Sequence, residues 1–255
     1  MVTDVQIEQA AALLRTSRRP CVLTGAGVSK ESGIPTFRDA LEGLWAQYDP
    51  SELATPTAFE RNPKLVWDFY EMRRERVRPA QPNPGHLALA TLEKRYGALP
   101  IITQNVDDLH ERAGSTQIIH LHGLIARDRC SRNCQGDPTL IDVDALGWDR
   151  SAGPPVCPHC GALIRPDVVW FGEILPEKAL SDAIAVIETT DLMLVIGTSG
   201  VVHPAARMPL EAKRHGAKLI EINPFRSELT PHMDAWLEGA SGAIMPRLLA
   251  ALEQA

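Results

Sequence analysis

The sequence predicts an α/β protein built on a doubly wound, mostly parallel sheet. Short β-branched runs alternate with helix-periodic segments along most of the 255 residues, which is typical of parallel sheets covered by helices. A Gly-x-Gly turn follows the first of these runs, as in the Rossmann-type dinucleotide-binding folds. Two regions interrupt the alternation.

The strand candidates are short runs rich in Ile, Val and Leu. In chain order they are PCVLTG, LPIITQN, TQIIHLHG, DVVWFG, LMLVIGTS and AKLIEIN. Between them, the predicted helices are 5–15, 85–95, 177–188 and 205–215. Residues 41–77 are helix-like and carry several aromatic side chains, whereas 127–165 are polar and cysteine-bearing. A chain of this length can form one large α/β domain with an insertion, or two modest domains.

Composition limits the classes of partner. The hydrophobic fraction of 44% can supply a buried core, and the net charge of −6 gives no general electrostatic reason to bind nucleic acid or an acidic membrane. The N-terminal segment MVTDVQIEQAAALLRTS lacks the basic start and apolar centre of a secretory signal. We expect a cytoplasmic monomer that binds neither nucleic acid nor membrane.

Four of the five cysteines form two close pairs in the second interrupting region. Cys130 and Cys134 lie in CSRNC, and Cys157 and Cys160 lie in CPHC. Four thiolates in two pairs suit one tetrahedral structural zinc ion, which leaves no position for a catalytic water. The alternatives are unligated surface thiols, or His159 in place of one sulfur ligand.

The turn after the first strand departs from a dinucleotide fingerprint. Gly25 and Gly27 permit close approach of backbone N–H groups to phosphate oxygens, but the next glycine is Gly33 and Pro35 follows it. Alone, such a turn is equally consistent with a simple strand–helix connection. Other strand ends add polar groups at Gln104, Asn105, Asp107, Thr198, Ser199 and Asn223. Ligands of open α/β sheets bind at these carboxyl ends.

Taken together, the segments resemble the sirtuins, the NAD-dependent protein lysine deacylases. GAGVSKESGIPTFRD, TQNVDDLH, HLHG, the cysteine pairs, VVWFGE, GTSGVVHPA and EIN occur in family order from Pro20 towards the C-terminus. The resemblance implies a Rossmann-type NAD-binding large domain of 1–41, 96–126 and 166–255. It also implies a small domain made of a helical insertion, 42–95, and a zinc module, 127–165, with NAD in the cleft between the two domains. It also implies that the extra loop closes over the nicotinamide half of NAD.

The HLHG motif implies that His122 is the catalytic base. Histidine suits proton transfer near neutral pH, since its ordinary pKa is about 6.5. His120 precedes it by two residues, so on a strand both side chains would share a face. The residues alone do not choose between them, and a structural histidine is the alternative role for each.

Further cofactor contacts follow from the resemblance. They are Gly25, Ala26, Gly27, Ser29, Gly197, Thr198 and Ser199 for the phosphates; Gln104, Asn105 and Asp107 for nicotinamide and its ribose; Asn223 and Ser241 for adenosine; and Phe37 and Arg38 in the covering loop.

Substrate contacts come from two segments. The stretch VVWFGE resembles the family's peptide-pairing strand, which implies contacts from Val169, Trp170, Phe171 and Gly172, although DVVWF alone would be an ordinary buried strand. Tyr70 and Arg73 are three residues apart on a predicted helix and so share a face. They match the Tyr-x-x-Arg pair of the class III subgroup, which removes succinyl and malonyl groups, and the small Ala54 leaves room for a longer acyl chain. A core tyrosine and a solvated arginine are the plain alternative.

The expected activity is NAD-dependent removal of succinyl, malonyl and, more weakly, acetyl groups from lysine side chains of proteins. The products would be nicotinamide, O-acyl-ADP-ribose and free lysine. Alternatives are a general deacetylase of the same family and a non-catalytic NAD-binding zinc scaffold. A dehydrogenase is disfavoured by the extra loop and the cysteine-bearing insertion.

Overall fold

Two sheets organise the chain in the computed structural model, which describes residues 2–35 and 53–253. The strands are β1 (Pro20–Thr24), β2 (Ile101–Thr103), β3 (Ile118–His120), β4 (Gly123–Cys130), β5 (Leu140–Ile141), β6 (Ile164–Val168), β7 (Leu192–Ile196), β8 (Lys218–Asn223) and β9 (Ala235–Glu238). The α-helices are α1 (Asp4–Thr16), α2 (Pro56–Arg61), α3 (Pro63–Val77), α4 (Pro84–Tyr96), α5 (Leu109–Arg112), α6 (Glu177–Thr189), α7 (Met208–Arg214) and α8 (Ser241–Glu253).

The larger sheet is parallel throughout, in the order β3-β2-β1-β7-β8-β9. Every residue of β1 and β7 is buried, as continuous apolar runs require when helices cover both faces of a sheet. The strand order reverses direction between β1 and β7, and a crevice forms at such a switch point beyond the carboxyl ends. The predicted doubly wound, mostly parallel sheet is confirmed.

Helices pack on both faces of this sheet because successive side chains of a strand point to opposite sides. Val22 joins the apolar cluster that contains α1, α4 and α8, whereas Leu23 joins the cluster beneath α6 and α7. In α1, buried Ile7, Ala10, Ala11 and Leu14 have helical spacing, and a capping box at Thr3 starts the helix. None of the described helices has the length and apolarity needed to cross a membrane.

The smaller sheet is antiparallel, with β4 between β5 and β6. The run DVVWFG was expected in the parallel sheet, and this is wrong: its strand is Ile164–Val168, and Gly123 and Val168 are register partners. Gly123 has φ +78°, and a Cβ there would lie 2.1 Å from the carbonyl oxygen of Asp167. Close backbone contact between the two strands therefore needs a glycine at this position.

The helical insertion packs against the smaller sheet. Phe69 and Tyr70 of α3 are buried with Ile125 and Val168. Trp67 is buried in the same cluster as Cys130 and Cys157. Helix α4 instead shares its apolar cluster with α1 and β1. This packing places α4 with the large sheet, whereas the predicted boundary at residue 95 put it in the small domain.

Helix boundaries follow the sequence closely where apolar spacing is clear. Helices α1, α4 and α6 begin and end within one residue of the predicted ranges. The predicted helix 205–215 begins instead as a 3-10 turn at Ala205–Arg207, before the α-helix Met208–Arg214 with its proline in the first turn. Strand β9 and helix α8 were not predicted; α8 contains Pro246, a residue that usually argues against a helix.

Candidate functional site

A cavity of about 1560 Å³ lies beyond the carboxyl ends of the parallel strands and reaches α3 and the end of β6. Most of the predicted site residues line it. They are Gly25, Ala26, Gly27, Ser29, Ala54, Tyr70, Arg73, Gln104, Asn105, Asp107, His122, Val169, Trp170, Phe171, Gly172, Gly197, Thr198, Ser199 and Asn223. Residues distant in sequence therefore meet in one place, as the switch point of the sheet predicts.

The remaining predicted cofactor contacts are Phe37, Arg38 and Ser241. Phe37 and Arg38 lie outside the described residues. Ser241 is described and buried, but it starts α8 behind Ala240, and its hydroxyl lies 3.5 Å from a carboxylate oxygen of Glu31. Its predicted contact with adenosine remains a prediction.

The glycine turn is shaped by contact between two loops. The Gly27 amide donates to the Gly197 carbonyl oxygen at 2.8 Å, and a Cβ on Gly27 would lie 2.7 Å from the Gly197 Cα. Gly197 has φ +61°, which favours glycine. After this contact the chain makes single 3-10 turns at Ala26–Val28 and Lys30–Ser32, so residues 25–35 contain no long helix. The close contact of the loops keeps side chains out of this end of the cavity.

A hydrogen-bonded group of polar side chains follows β2. Asn105 Nδ2 donates to Ser29 Oγ at 3.0 Å, and Ser29 Oγ donates to Asp107 Oδ2 at 3.0 Å. Burial raises the pKa of Asp107, although hydrogen bonds from the Leu109 amide and Ser29 oppose the shift. Asn105 Oδ1 is buried and has no hydrogen-bond partner among the described residues. An unpartnered amide oxygen in a cavity wall is suited to a donor from a ligand.

The neighbouring strand ends are tied together by amide side chains. Gln104 Nε2 donates to Thr198 Oγ1 at 3.1 Å, and Asn223 Nδ2 donates to the Thr198 carbonyl oxygen at 2.9 Å. The loops after β2, β7 and β8 are thereby held in one arrangement around the cavity.

The structure separates the two histidines of HLHG. Strand β3 ends at His120, and a turn follows, so the expectation that both rings share one strand face is wrong. His120 Nε2 lies 2.6 Å from a Glu111 carboxylate oxygen. His120 is not among the described residues that line the cavity. His122 does line the cavity.

His122 has the geometry of a neutral base. Its Nδ1 lies 2.9 Å from the Gln104 carbonyl oxygen. Because a carbonyl oxygen only accepts, Nδ1 carries the proton, and Nε2 of the neutral ring keeps its lone pair. Burial lowers the pKa of His122, and the bond to Gln104 opposes the shift. The ring is therefore neutral, and able to accept a proton, at pH 7.

Tyr70 and Arg73 meet on the wall formed by α3. The Arg73 Cζ atom lies 5.4 Å from the centroid of the Tyr70 ring, and Arg73 is half-buried while Tyr70 is fully buried. Burial raises the pKa of Tyr70 and lowers that of Arg73. An arginine remains charged even so, and the Tyr70 hydroxyl keeps its proton at neutral pH. The pair offers a cation and a hydroxyl inside a largely apolar wall.

The segment after β6 is bonded to the rest of the protein through its amides. Val169 N donates to the His122 carbonyl oxygen at 3.0 Å, and Phe171 N donates to the Ala54 carbonyl oxygen at 2.8 Å. Trp170 N donates to Glu173 Oε2 at 2.8 Å. Pairing with a peptide, which remains a prediction, is therefore limited to the other backbone groups of this segment.

Sequence reasoning missed several apolar residues of the wall. Val201, Val202, Phe225 and Ile174 line the cavity and are exposed. Each lies in a loop that follows a buried strand or the segment after β6, and large apolar side chains in such loops were the available signal.

The four paired cysteines converge as predicted. The sulfur atoms of Cys130 and Cys160 lie 3.5 Å apart, and those of Cys134 and Cys157 lie 3.8 Å apart. All four sulfur atoms lie within 4.8 Å of one another. A tetrahedral zinc ion with Zn–S bonds of about 2.3 Å needs sulfur separations of about 3.8 Å, so the four positions fit one zinc ion.

Comparison with known proteins finds relatives that match most of this chain. The Sir2 family profile matches residues 25–204. A Pseudomonas aeruginosa protein named NAD-dependent protein deacylase 1 is 51% identical over 239 residues, which cover 93% of this chain and 95% of that protein. The crystal structure of a Sir2 homologue–NAD complex has a TM-score of 0.89 at 46% identity, covering 97% of this chain and 94% of the other. A Sir2 structure bound to an acetylated peptide has a TM-score of 0.83 at 32% identity, covering 96% and 97%.

Proposed function

This chain belongs to the Sir2 family and is an NAD-dependent protein deacylase, and on that premise we propose which acyl groups it removes. The proposed substrates are lysine side chains carrying succinyl or malonyl groups, with acetyl groups removed more weakly. The products are nicotinamide, O-acyl-ADP-ribose and free lysine. The observation that carries the proposal is the Tyr70–Arg73 pair in the cavity wall.

The residues at the carboxyl ends of the strands fit NAD. The loop contact at Gly27 and Gly197 leaves backbone free of side chains for phosphates, and the Asn105 amide oxygen lacks a partner among the described residues. When bound, NAD supplies an electrophilic ribose carbon and nicotinamide as the leaving group. We assign Asn105 and Asp107 to nicotinamide and its ribose, Thr198 to the phosphates and Asn223 to adenosine.

His122 is the proposed base. Its Nε2 accepts a proton from a ribose hydroxyl, while Nδ1 stays bonded to the Gln104 carbonyl oxygen and fixes the orientation of the ring. The lowered pKa keeps the His122 ring neutral at pH 7, so most enzyme molecules carry the form of His122 that can accept a proton.

A carboxylate-bearing acyl group explains why a cation lies in this wall. Succinyl and malonyl groups end in a carboxylate, which is costly to bury without a charged partner. Arg73 supplies a planar set of N–H donors, and the nearby Tyr70 carries a hydroxyl. Ala54, on the same cavity wall, has a side chain small enough to leave room for a longer chain.

The test compares peptides that differ only in the acyl group. Nicotinamide release should require an acyl-lysine peptide, and kcat/KM should be higher for succinyl and malonyl than for acetyl peptides. In Arg73→Met, the ratio of desuccinylation to deacetylation should fall ten- to a hundredfold, since a hydrogen bond to a charged group contributes about 1.5 to 3 kcal/mol.

Arg78→Met is the matched control. It removes the same charge from an exposed position at the end of the same helix. Its ratio should equal that of the wild type. If Arg73→Met lowers both activities equally, or neither, the acyl preference is refuted and a general deacetylase remains. Peptide-independent NAD binding without nicotinamide release would instead indicate a scaffold.

A further inference from the structure

Next to Tyr70, the cavity wall contains a tryptophan, Trp170. Trp170 is almost completely buried, and its ring packs against Phe59 with the centroids 5.3 Å apart. Its indole Nε1 donates a hydrogen bond to the Tyr70 hydroxyl oxygen at 2.9 Å. The bond joins the segment after β6 to α3, and both parts of the chain contribute residues to the cavity wall.

This bond determines the direction of the Tyr70 hydroxyl hydrogen. An indole N–H and a guanidinium are both hydrogen-bond donors only. Neither Trp170 nor Arg73 can therefore accept a hydrogen bond from the Tyr70 hydroxyl. The hydroxyl oxygen therefore accepts from Trp170, and its own hydrogen points away from the indole. Tyr70 is among the residues that line the cavity, so an acyl group bound there lies next to this hydroxyl. A carboxylate, which only accepts, is the complementary group.

The position of the indole is fixed by an ion pair between the buried Arg165 and the partly buried Glu173. The Arg165 guanidinium carbon lies 3.3 Å from the centroid of the Trp170 ring, and Arg165 donates to both carboxylate oxygens of Glu173 at 2.5 and 2.9 Å. Glu173 also accepts from the Trp170 amide at 2.8 Å. A cation over the ring and a carboxylate at its amide leave Trp170 little freedom to turn away from Tyr70.

From this geometry we infer that Trp170 is a positioning residue for acyl selectivity. Its indole N–H holds the Tyr70 hydroxyl as a donor beside Arg73, and so favours acyl groups that end in a carboxylate. The inference rests on the proposed desuccinylase and demalonylase function and adds to it a residue outside the Tyr-x-x-Arg pair.

The test is Trp170→Phe, which removes the N–H and keeps a ring for Phe59 and Arg165 to pack against. The ratio of desuccinylation to deacetylation kcat/KM should fall about three- to tenfold, the range for one neutral hydrogen bond, through a higher KM for the succinylated peptide. Any general effect on the peptide-binding segment cancels in the ratio.

Trp148→Phe is the matched control. It removes an indole N–H that donates to the Gly153 carbonyl oxygen at 2.8 Å, in the second insertion and away from the cavity wall. Its ratio should equal that of the wild type. An unchanged ratio in Trp170→Phe overturns the inference.

A double variant shows whether Trp170 acts through Tyr70. In a Tyr70→Phe background there is no hydroxyl to orient, so adding Trp170→Phe should leave the ratio where Tyr70→Phe alone sets it. A further threefold fall would overturn the inference. Should Trp170→Phe not fold, Trp170→Leu takes its place, since it also removes the indole N–H, and an unchanged ratio there overturns the inference.

Arg73→Met, assayed in parallel, separates this inference from the proposed function. If the ratio does not change in Arg73→Met, the acyl preference itself is refuted. If it falls in Arg73→Met but not in Trp170→Phe, only the role of Trp170 is refuted.

Discussion

When the pH falls from 7 to 5, the free energy of unfolding of His86→Gln should decrease by about 2 kcal/mol less than that of the wild type. His86 is fully buried in the first turn of α4. Its Nδ1 accepts the Asn83 amide hydrogen at 3.3 Å, and its Nε2 lies 3.5 Å from Ser29 Oγ. Burial lowers the pKa of His86 to about 4. Protonation would both charge a buried ring and remove the acceptor for the Asn83 amide.

The size and sign follow from the difference between the folded and unfolded pKa values. In the unfolded chain a histidine has a pKa of about 6.5, so the unfolded state takes up a proton before the folded state does. The stability that His86 contributes is complete above about pH 6.5 and is lost as the pH falls towards 4. One pKa unit corresponds to about 1.36 kcal/mol, which gives a loss of about 2 kcal/mol at pH 5 and about 3 kcal/mol at pH 4.

The assay is urea unfolding followed by circular dichroism at pH 7 and pH 5, for the wild type and His86→Gln. Glutamine at the third helical position preserves the capping box but does not titrate. Between the two pH values the wild type should lose about 2 kcal/mol more than the variant. Zinc-ligand protonation affects both proteins and cancels in this difference.

His215→Gln is the matched control, since His215 is exposed at the end of α7, and it should follow the wild-type curve. Equal losses in the wild type and His86→Gln would refute the reasoning and show that the folded state accommodates the charged ring.

Two further predictions concern the base and the metal. His122→Ala should abolish acyl transfer while NAD affinity, measured by calorimetry, stays near the wild-type value, whereas His120→Ala should retain substantial activity if it folds; the reverse pattern would move the base to His120. Cys157→Ser should destabilise the zinc module and lower activity indirectly, because metal-ligand free energy is also folding free energy, and protein purified without chelator should contain one zinc per chain by elemental analysis. Protein without zinc would contradict the assignment.

The sequence by itself determined the larger sheet, because strands buried on both faces must be continuous apolar runs. PCVLT and LMLVI became the fully buried β1 and β7, and the helices with clear apolar spacing ended close to their predicted limits. The cysteine pairs were equally informative, since ligand spacing is a local property of the chain. The polar residues at strand ends met in one cavity because parallel strands end on the same edge.

Tertiary structure decided what depends on contacts between distant segments. Local spacing could not choose between His120 and His122, because the outcome depends on where β3 ends and on Glu111 and the Gln104 carbonyl lying beside the two rings. Nor could apolar composition assign DVVWF to a sheet, since any buried strand looks alike until its partner is known.

The acyl end of the cavity shows the same limit. Tyr70 and Arg73 share a helix face, which their spacing predicts, but the tryptophan that orients the Tyr70 hydroxyl lies 100 residues further along the chain. A hydrogen bond of this kind leaves no periodic trace in the sequence, because it requires two elements to fold and pack before donor and acceptor can meet.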